Sequence, residues 1–407
     1  MKNSLFILFV VVSFSISAQS VEIKGEIKDK TTNKGISYVS IRLKNVCLGT
    51  MANEEGIFIF KLPEKYLQDS FIFSCVGYKK IIIPIEKVVQ GKIIQMEQET
   101  IELAEVILNA SLLNAESILR EAFRRIPQNY HNTSAGTYFY RDWRTYNGTL
   151  YLFAEAIFDI LIDYRNIDGL NTNLKDNNGR KDYCHSLIQK HQLLVYDTSI
   201  TQYVNFFQDI PFNYSELYVY DKIDNISIEQ ILKTMKKKGT TYLLSSFYDT
   251  EGTLFYTVEQ NIKKTISYYY PTIHYTINAT DYAITCLKLF YKPSISWAVD
   301  TFNVVSQYEK INGKYMLVST SYFRNLASID YSTKGKSRQI KINTLYYLTA
   351  FKENADIDSF SKEQTIPKTR RFFDIFTENT YNESFWGQYN YIPLEESIKK
   401  ERKKMQK

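Results

Sequence analysis

The chain has 407 residues, a formal net charge of +6, 44% hydrophobic and 23% charged residues. That balance is a globular one and excludes wholesale disorder, and 15 Gly with 8 Pro are too few for long flexible linkers. The 33 Tyr and 25 Phe suit pleated, half-buried surface, so they argue for β structure before they argue for ligand stacking.

In chain order, Lys2, the apolar run LFILFVVVSFSIS and then Ala18-Gln19 have the form of a secretory signal peptide over residues 1–18. The run is short for a transmembrane helix, no Cys follows it to accept a lipid, and no later stretch reaches membrane-spanning length. The expectation is an exported protein without a helical anchor, in the periplasm or at the outer-membrane surface.

Residues 21–98 alternate apolar and polar over short segments: VEIKGEIKD, ISYVSIRLKN, VCLGT, GIFIFKL, SFIFSCV, YKKIIIPI and KIIQME. Seven strands at this spacing predict a sandwich. Within them, GTMANEEGIFIF followed by an apolar strand and Val76-Gly77-Tyr78 resembles the carboxypeptidase-like regulatory domain. That family implies a transthyretin-like β-sandwich at the start of an envelope protein of the Bacteroidota, used for protein or glycan contacts. Related sandwiches precede TonB-dependent receptors, so an accessory of outer-membrane transport is one reading. Where the family usually carries Thr-Asp or Ser-Asp, this chain has Ala52-Asn53, and Asn keeps the turn-forming side chain.

Residues 99–129 read as a connector strand, Ile101 to Asn109, and an amphipathic helix, Leu112 to Ile126, stopped by Pro127. Ala115, Ile118, Leu119, Ala122, Phe123 and Ile126 make its apolar stripe. Arg120, Arg124 and Arg125 read either as an anion site or as a solvated face balanced by Glu116 and Glu121.

Residues 130–360 are mostly strands, with hairpin signals at Asn147-Gly148 and Asn312-Gly313. A second helix is expected over Ser227–Lys238, opened by a capping box and stopped by Gly239. Asp163 to Lys190 reads as a long loop. Long antiparallel strands must bury one face, which predicts one curved sheet with a helix on its concave side and a ligand cavity between them. The tract ISYYYPTIHYTINATDYAITCLKLFYK resembles the curved sheets of periplasmic lipoprotein carriers. The fold class is therefore mainly β: the seven-stranded sandwich, then a larger α+β domain on a curved antiparallel sheet with a few helices. Residues 361–407 form a C-terminal segment whose end, KKERKKMQK, carries six basic residues and one Glu. That tail reads as a solvated helix end, or as a contact with an anionic membrane surface.

No catalytic residue stands out. His131, His185, His191 and His274 lack the spacing of paired metal ligands, and no nucleophile motif or phosphate loop is present, so neither metal nor cofactor is expected. Nor is nucleic acid. Cys47, Cys75, Cys184 and Cys286 read as small buried residues or as pairs, most simply Cys47–Cys75 and Cys184–Cys286. Glu155, set in LYLFAEAIFDIL on the side of Tyr151, Phe153 and Ile157, is a candidate polar group in a cavity. Tyr268, Tyr269 and Tyr270, and the tract Tyr214 to Tyr220, are candidates for stacking on a sugar or lining an apolar cavity. The functional expectation is a non-enzymatic envelope protein holding an apolar or glycan ligand and contacting envelope proteins or glycans. The alternative is a hydrolase of surface glycans or peptides using a carboxylate pair.

Overall fold

A computed structural model describes residues 20–75, 77–88, 92–98, 114–131, 133–163, 184–195, 240–249, 251–262, 269–293, 299–330, 336–352, 386–387 and 389–405. The signal segment, the Ile101–Asn109 connector, the Ser227–Lys238 helix and the Tyr214–Tyr220 tract lie outside the described residues.

The N-terminal part is a seven-stranded sandwich. β1 (Ser20–Asp29) is the centre of a three-stranded sheet, antiparallel to β4 (Ile57–Pro63) and parallel to β7 (Lys92–Met96). The facing sheet has the order β3 (Gly49–Met51), β2 (Ser40–Leu43), β5 (Ser70–Ser74), β6 (Ile81–Pro84). The alternating phenylalanines of IFIFKL and SFIFS point inward from opposite sheets, as the period of two requires. Phe60 meets Phe71 with ring centroids 4.7 Å apart, and Phe58 meets Phe73 edge-on at 6.0 Å. Gly56 sits at φ +84°, and a Cβ there would stand 2.3 Å from the Ile27 carbonyl oxygen. Only glycine combines that backbone with that approach.

The larger part is one ten-stranded antiparallel sheet. Its strands are β8 (Thr133–Tyr146), β9 (Thr149–Asp163), β10 (Cys184–Val195), β11 (Thr240–Tyr248), β12 (Leu254–Ile262), β13 (Tyr269–Asn278), β14 (Ile284–Pro293), β15 (Val299–Ile311), β16 (Lys314–Asp330) and β17 (Lys336–Lys352). The spatial order is β10-β9-β8-β17-β16-β15-β14-β13-β12-β11. The last strand thus closes back beside the first, and β10 and β11 are the edges among the described residues. Asn147-Gly148 and Asn312-Gly313 turn their hairpins with positive φ at both positions, the geometry that matches strand twist.

The sheet is curved. β9 and β12 lie seven strands apart, about 34 Å on a flat sheet. Yet residues of both join a single core around one helix, α1 (Ala115–Arg124). Its stripe of Ala115, Ile118, Leu119, Ala122 and Phe123 is buried on the concave face. α1 begins at Ala115 rather than at Leu112, and Asn114 caps it, accepting from the Ser117 N–H at 2.7 Å. Pro127 does not end the helix. It sits in the first turn of a short α2 (Ile126–Asn129), where its missing N–H costs nothing. Arg120 and Arg125 pair with Glu116 and Glu121 one turn back, so the basic cluster is a balanced surface.

One other expectation needs correction, and one pair of alternatives is decided. Cys184–Lys190, taken as the end of a loop, belongs to β10, which pairs with β9 along its length. Cys47 and Cys75 are not joined: Cys47 packs against the core of the large sheet and Cys75 against that of the sandwich. The Cys184–Cys286 pairing involves a side chain outside the described residues.

Candidate functional site

One rung of paired residues crosses the whole sheet. From β10 to β11 it runs Gln192, Glu155, Arg141, Leu345, Ser321, Val305, Lys288, His274, Glu259, Leu243. Strand alternation puts this row, from Glu155 to Leu243, on the convex face, away from α1. The sandwich and a C-terminal segment, including α3 (Glu396–Met405), lie over the same face.

At the β8–β9 end the face is sealed. Arg141 is completely buried and donates from Nε to Glu155 Oε1 at 2.7 Å. Its Nη1 donates to Glu395 Oε1 at 3.0 Å and to the Pro393 carbonyl at 3.2 Å, and Nη2 donates to the Ile392 carbonyl. The guanidinium lies over the rings of Phe139 and Phe153. This is the well-filled geometry that offsets the desolvation of a buried ion pair. Glu155 is thus placed under the C-terminal segment as an ion-pair partner. Phe153 and Ile157 share its face. Tyr151 does not, because a β-bulge opposite Arg144 and Thr145 turns it into the concave core.

The sandwich is fastened beside this seal. Ser40 Oγ and Tyr347 OH are 2.9 Å apart, and burial pushes the tyrosine hydroxyl far up in pKa. Asn390 reads the backbone of Lys61 like a neighbouring strand, accepting its N–H at 2.6 Å and donating to its carbonyl at 3.3 Å. Arg42 Nε pairs with Glu309 Oε2 at 2.6 Å, and Lys80 Nζ with Glu251 Oε1 at 2.7 Å.

Between these fastenings the two domains stand apart and leave a trough. One cavity of about 590 Å³ lies over β11 to β15, and a second of about 460 Å³ over β14 to β17. They share Cys75, Lys288, Phe290 and Gln307. The floor alternates aromatic and hydrogen-bonding side chains. Phe247 and Phe255 stack with centroids 5.4 Å apart, and His274 stands edge-on to Phe290 at 5.4 Å. Thr257, Thr276, Gln307, Ser319, Ser321 and Asn343 stand among them, with Trp143 at the sealed end. Tyr38 reaches in from the sandwich, held at φ +57°. A left-handed non-glycine residue is strained backbone of the kind that gathers at functional sites. Burial, then the charge of Glu395, raise its hydroxyl pKa.

Of the tyrosines expected to bind, Tyr269 and Tyr270 open β13, paired with Pro293 and Lys292 of β14. Their side chains, and all of Tyr268, lie outside the described residues. Sequence reasoning missed Arg141, Lys288 and the trough residues. The alternation of polar residues along β12 to β16 carried that signal, but it does not distinguish a solvated face from a covered one. Among the described residues, no group of three or more His, Cys, Asp or Glu could hold a metal ion, and no helix is long and apolar enough to cross a membrane.

Residues 23–108 match the family model of the CarboxypepD_reg-like domain. The match supports the resemblance of the sandwich to that family. Among solved structures the chain is similar to a DUF1329 family protein from Desulfovibrio piger ATCC 29098, at 11% identity over 62% of this chain and 99% of that one, with a TM-score of 0.25. It is similar to a LolA superfamily protein from Nitrosomonas europaea, at 13% identity over 62% and 99%, with a TM-score of 0.23. It is also similar to lipovitellin, at 10% identity over 62% and 28%, with a TM-score of 0.23. No curated protein matches the chain.

Proposed function

We propose that this chain is an exported, non-enzymatic envelope protein that binds a saccharide in the trough between its sandwich and the convex face of its sheet. The observation that carries the reading is the trough floor. Flat apolar rings at Phe247, Phe255 and Phe290 alternate with hydroxyl and amide groups at Thr257, Thr276, Gln307 and Ser321. A sugar ring presents the complementary surface, an apolar C–H face rimmed by hydroxyls. Ser319 donates to Gln307 Oε1 at 2.9 Å within the floor, and a purely apolar ligand would cover the hydroxyls of Thr257, Thr276 and Ser321 without offering them a partner.

The acids of the trough support binding over hydrolysis. Asp249 accepts from the Glu251 and Thr253 N–H groups and so holds its own hairpin, and Glu309 is paired with Arg42. Neither is poised as half of a catalytic carboxylate pair. The charged start and apolar run of residues 1–18 support the exported location.

The test is a glycan array probed with the full exported chain, followed by titration of the retained oligosaccharide. Phe247→Ala and Phe255→Ala should each weaken binding about tenfold, the loss of one aromatic contact. An array that retains nothing, alongside tight uptake of a fatty acid, would point to an apolar ligand and overturn the reading.

A further inference from the structure

We propose that the trough selects an acidic saccharide, and that Lys288 is the group that recognises its acid. The inference rests on the saccharide reading above and deepens it. Lys288 lines both cavities at the point where they meet. His274 is its direct cross-strand partner on the same face, so a second nitrogen-bearing side chain stands beside it.

The trough's other charges are already committed. Glu309 is neutralised by Arg42 at 2.6 Å. Asp249 is occupied by two backbone N–H groups. Glu259, the next residue along the rung, faces His274 at 3.7 Å and accepts from Asn261 Nδ2 at 2.7 Å. Lys288 makes no ion pair among the described residues and is only half exposed to water. Lys288 therefore brings to the cavity wall, two residues from Phe290 on the same strand face, a positive charge that has no carboxylate partner among the described residues. A uronate carboxylate or a sugar sulfate lying across the rings would supply the missing partner through a charge-assisted hydrogen bond. The hydroxyls of the floor would meet the rest of the sugar.

The experiment titrates the full chain by calorimetry with an oligogalacturonide and with a neutral oligogalactan of equal length. At low salt the acidic ligand should bind at least about tenfold tighter, and rising salt should erode that preference. Lys288→Met should bring the acidic ligand down to the affinity of the neutral one, and an unchanged urea-denaturation midpoint shows that the variant folds. Lys288→Arg should retain most of the preference. Equal binding of the two ligands by the unaltered chain would overturn the acidic selectivity and leave the saccharide reading standing. A preference that survives Lys288→Met would overturn the role of that residue. Failure of both ligands to bind would overturn the saccharide reading and this inference with it.

Discussion

Arg141 and Glu155 face each other across one rung of β8 and β9, Nε to Oε1 at 2.7 Å, both completely buried. The same guanidinium holds the backbone of residues 392 and 393 and the carboxylate of Glu395. The pair therefore joins strands near the start of the large sheet to a segment near the end of the chain. Removing one partner strands the other charge without water, which costs far more than the pair contributes. Arg141→Met should lower stability by about 3–5 kcal/mol, measured by urea denaturation. It should also raise amide hydrogen exchange across residues 389–398. Loss of stability with unchanged exchange there would show that the segment is held by Trp386 and Ile392 instead.

The concave core makes a separate claim. Phe123 of α1 is 1% exposed and meets Tyr275 edge-on with centroids 6.0 Å apart. Tyr275 in turn donates to Gln260 Oε1 at 3.1 Å. Phe123→Ala removes a ring from a packed layer and should cost about 3–5 kcal/mol. A loss below about 0.5 kcal/mol would mean that α1 is peripheral to the sheet.

Much of the architecture is legible in the residues, and the reasons are local. The period of two in IFIFKL and SFIFS places four phenylalanines in the sandwich core, and Asn-Gly at 147–148 and 312–313 can turn a hairpin as few other dipeptides can. What is not legible depends on distant partners. Nothing local to β17 says that it pairs with β8, or that the ends of the sheet draw together around α1. Counting back from the turn at Asn147-Gly148 pairs Arg141 with Ala154; the bulge at Arg144 and Thr145 shifts it onto Glu155. The trough was out of reach for the same reason, since its walls are the sandwich and, Trp143 apart, strands more than 150 residues further on.

Asp29 gives the sandwich a pH dependence. Its carboxylate accepts from the Thr32 and Thr31 N–H groups at 2.6 and 2.9 Å, from Tyr78 OH at 2.9 Å and from Gln98 Nε2 at 2.8 Å. These donors, the Thr32 backbone first, hold its pKa well below the usual carboxylate range. The folded value lies under the unfolded one, near 3.9 (roughly). The associated stability is therefore present above about pH 4 and is lost as pH falls further. In urea melts between about pH 6 and pH 2, Asp29→Asn should begin weaker than the parent and show a flatter decline. Parallel curves would remove Asp29 as the source.

Asn53 explains why this chain departs from the acidic residue usual in its turn. The side chain is completely buried. Its Oδ1 accepts from the Glu55 and Ile57 N–H groups at 3.1 and 2.9 Å, work that an aspartate performs equally well. Its Nδ2 donates to Glu55 Oε2 at 3.0 Å and to the Leu394 carbonyl at 3.4 Å. An aspartate cannot donate there. Asn53→Asp would set a second oxygen against a carboxylate and a carbonyl in a site without water. The change should cost about 1–3 kcal/mol, the range for a buried polar group left without its partner. The loss should fall on the docking of the C-terminal segment, because Glu55 Oε1 also accepts the Glu396 N–H at 2.8 Å at the start of α3. Adding Glu55→Gln supplies a donor opposite the new oxygen and should recover part of the stability. Tryptophan fluorescence reads both effects at once, since Trp386 lies in this interface, fully buried against Phe139. If Asn53→Asp is neutral within about 0.5 kcal/mol and leaves that fluorescence unchanged, the amide is not what distinguishes this turn.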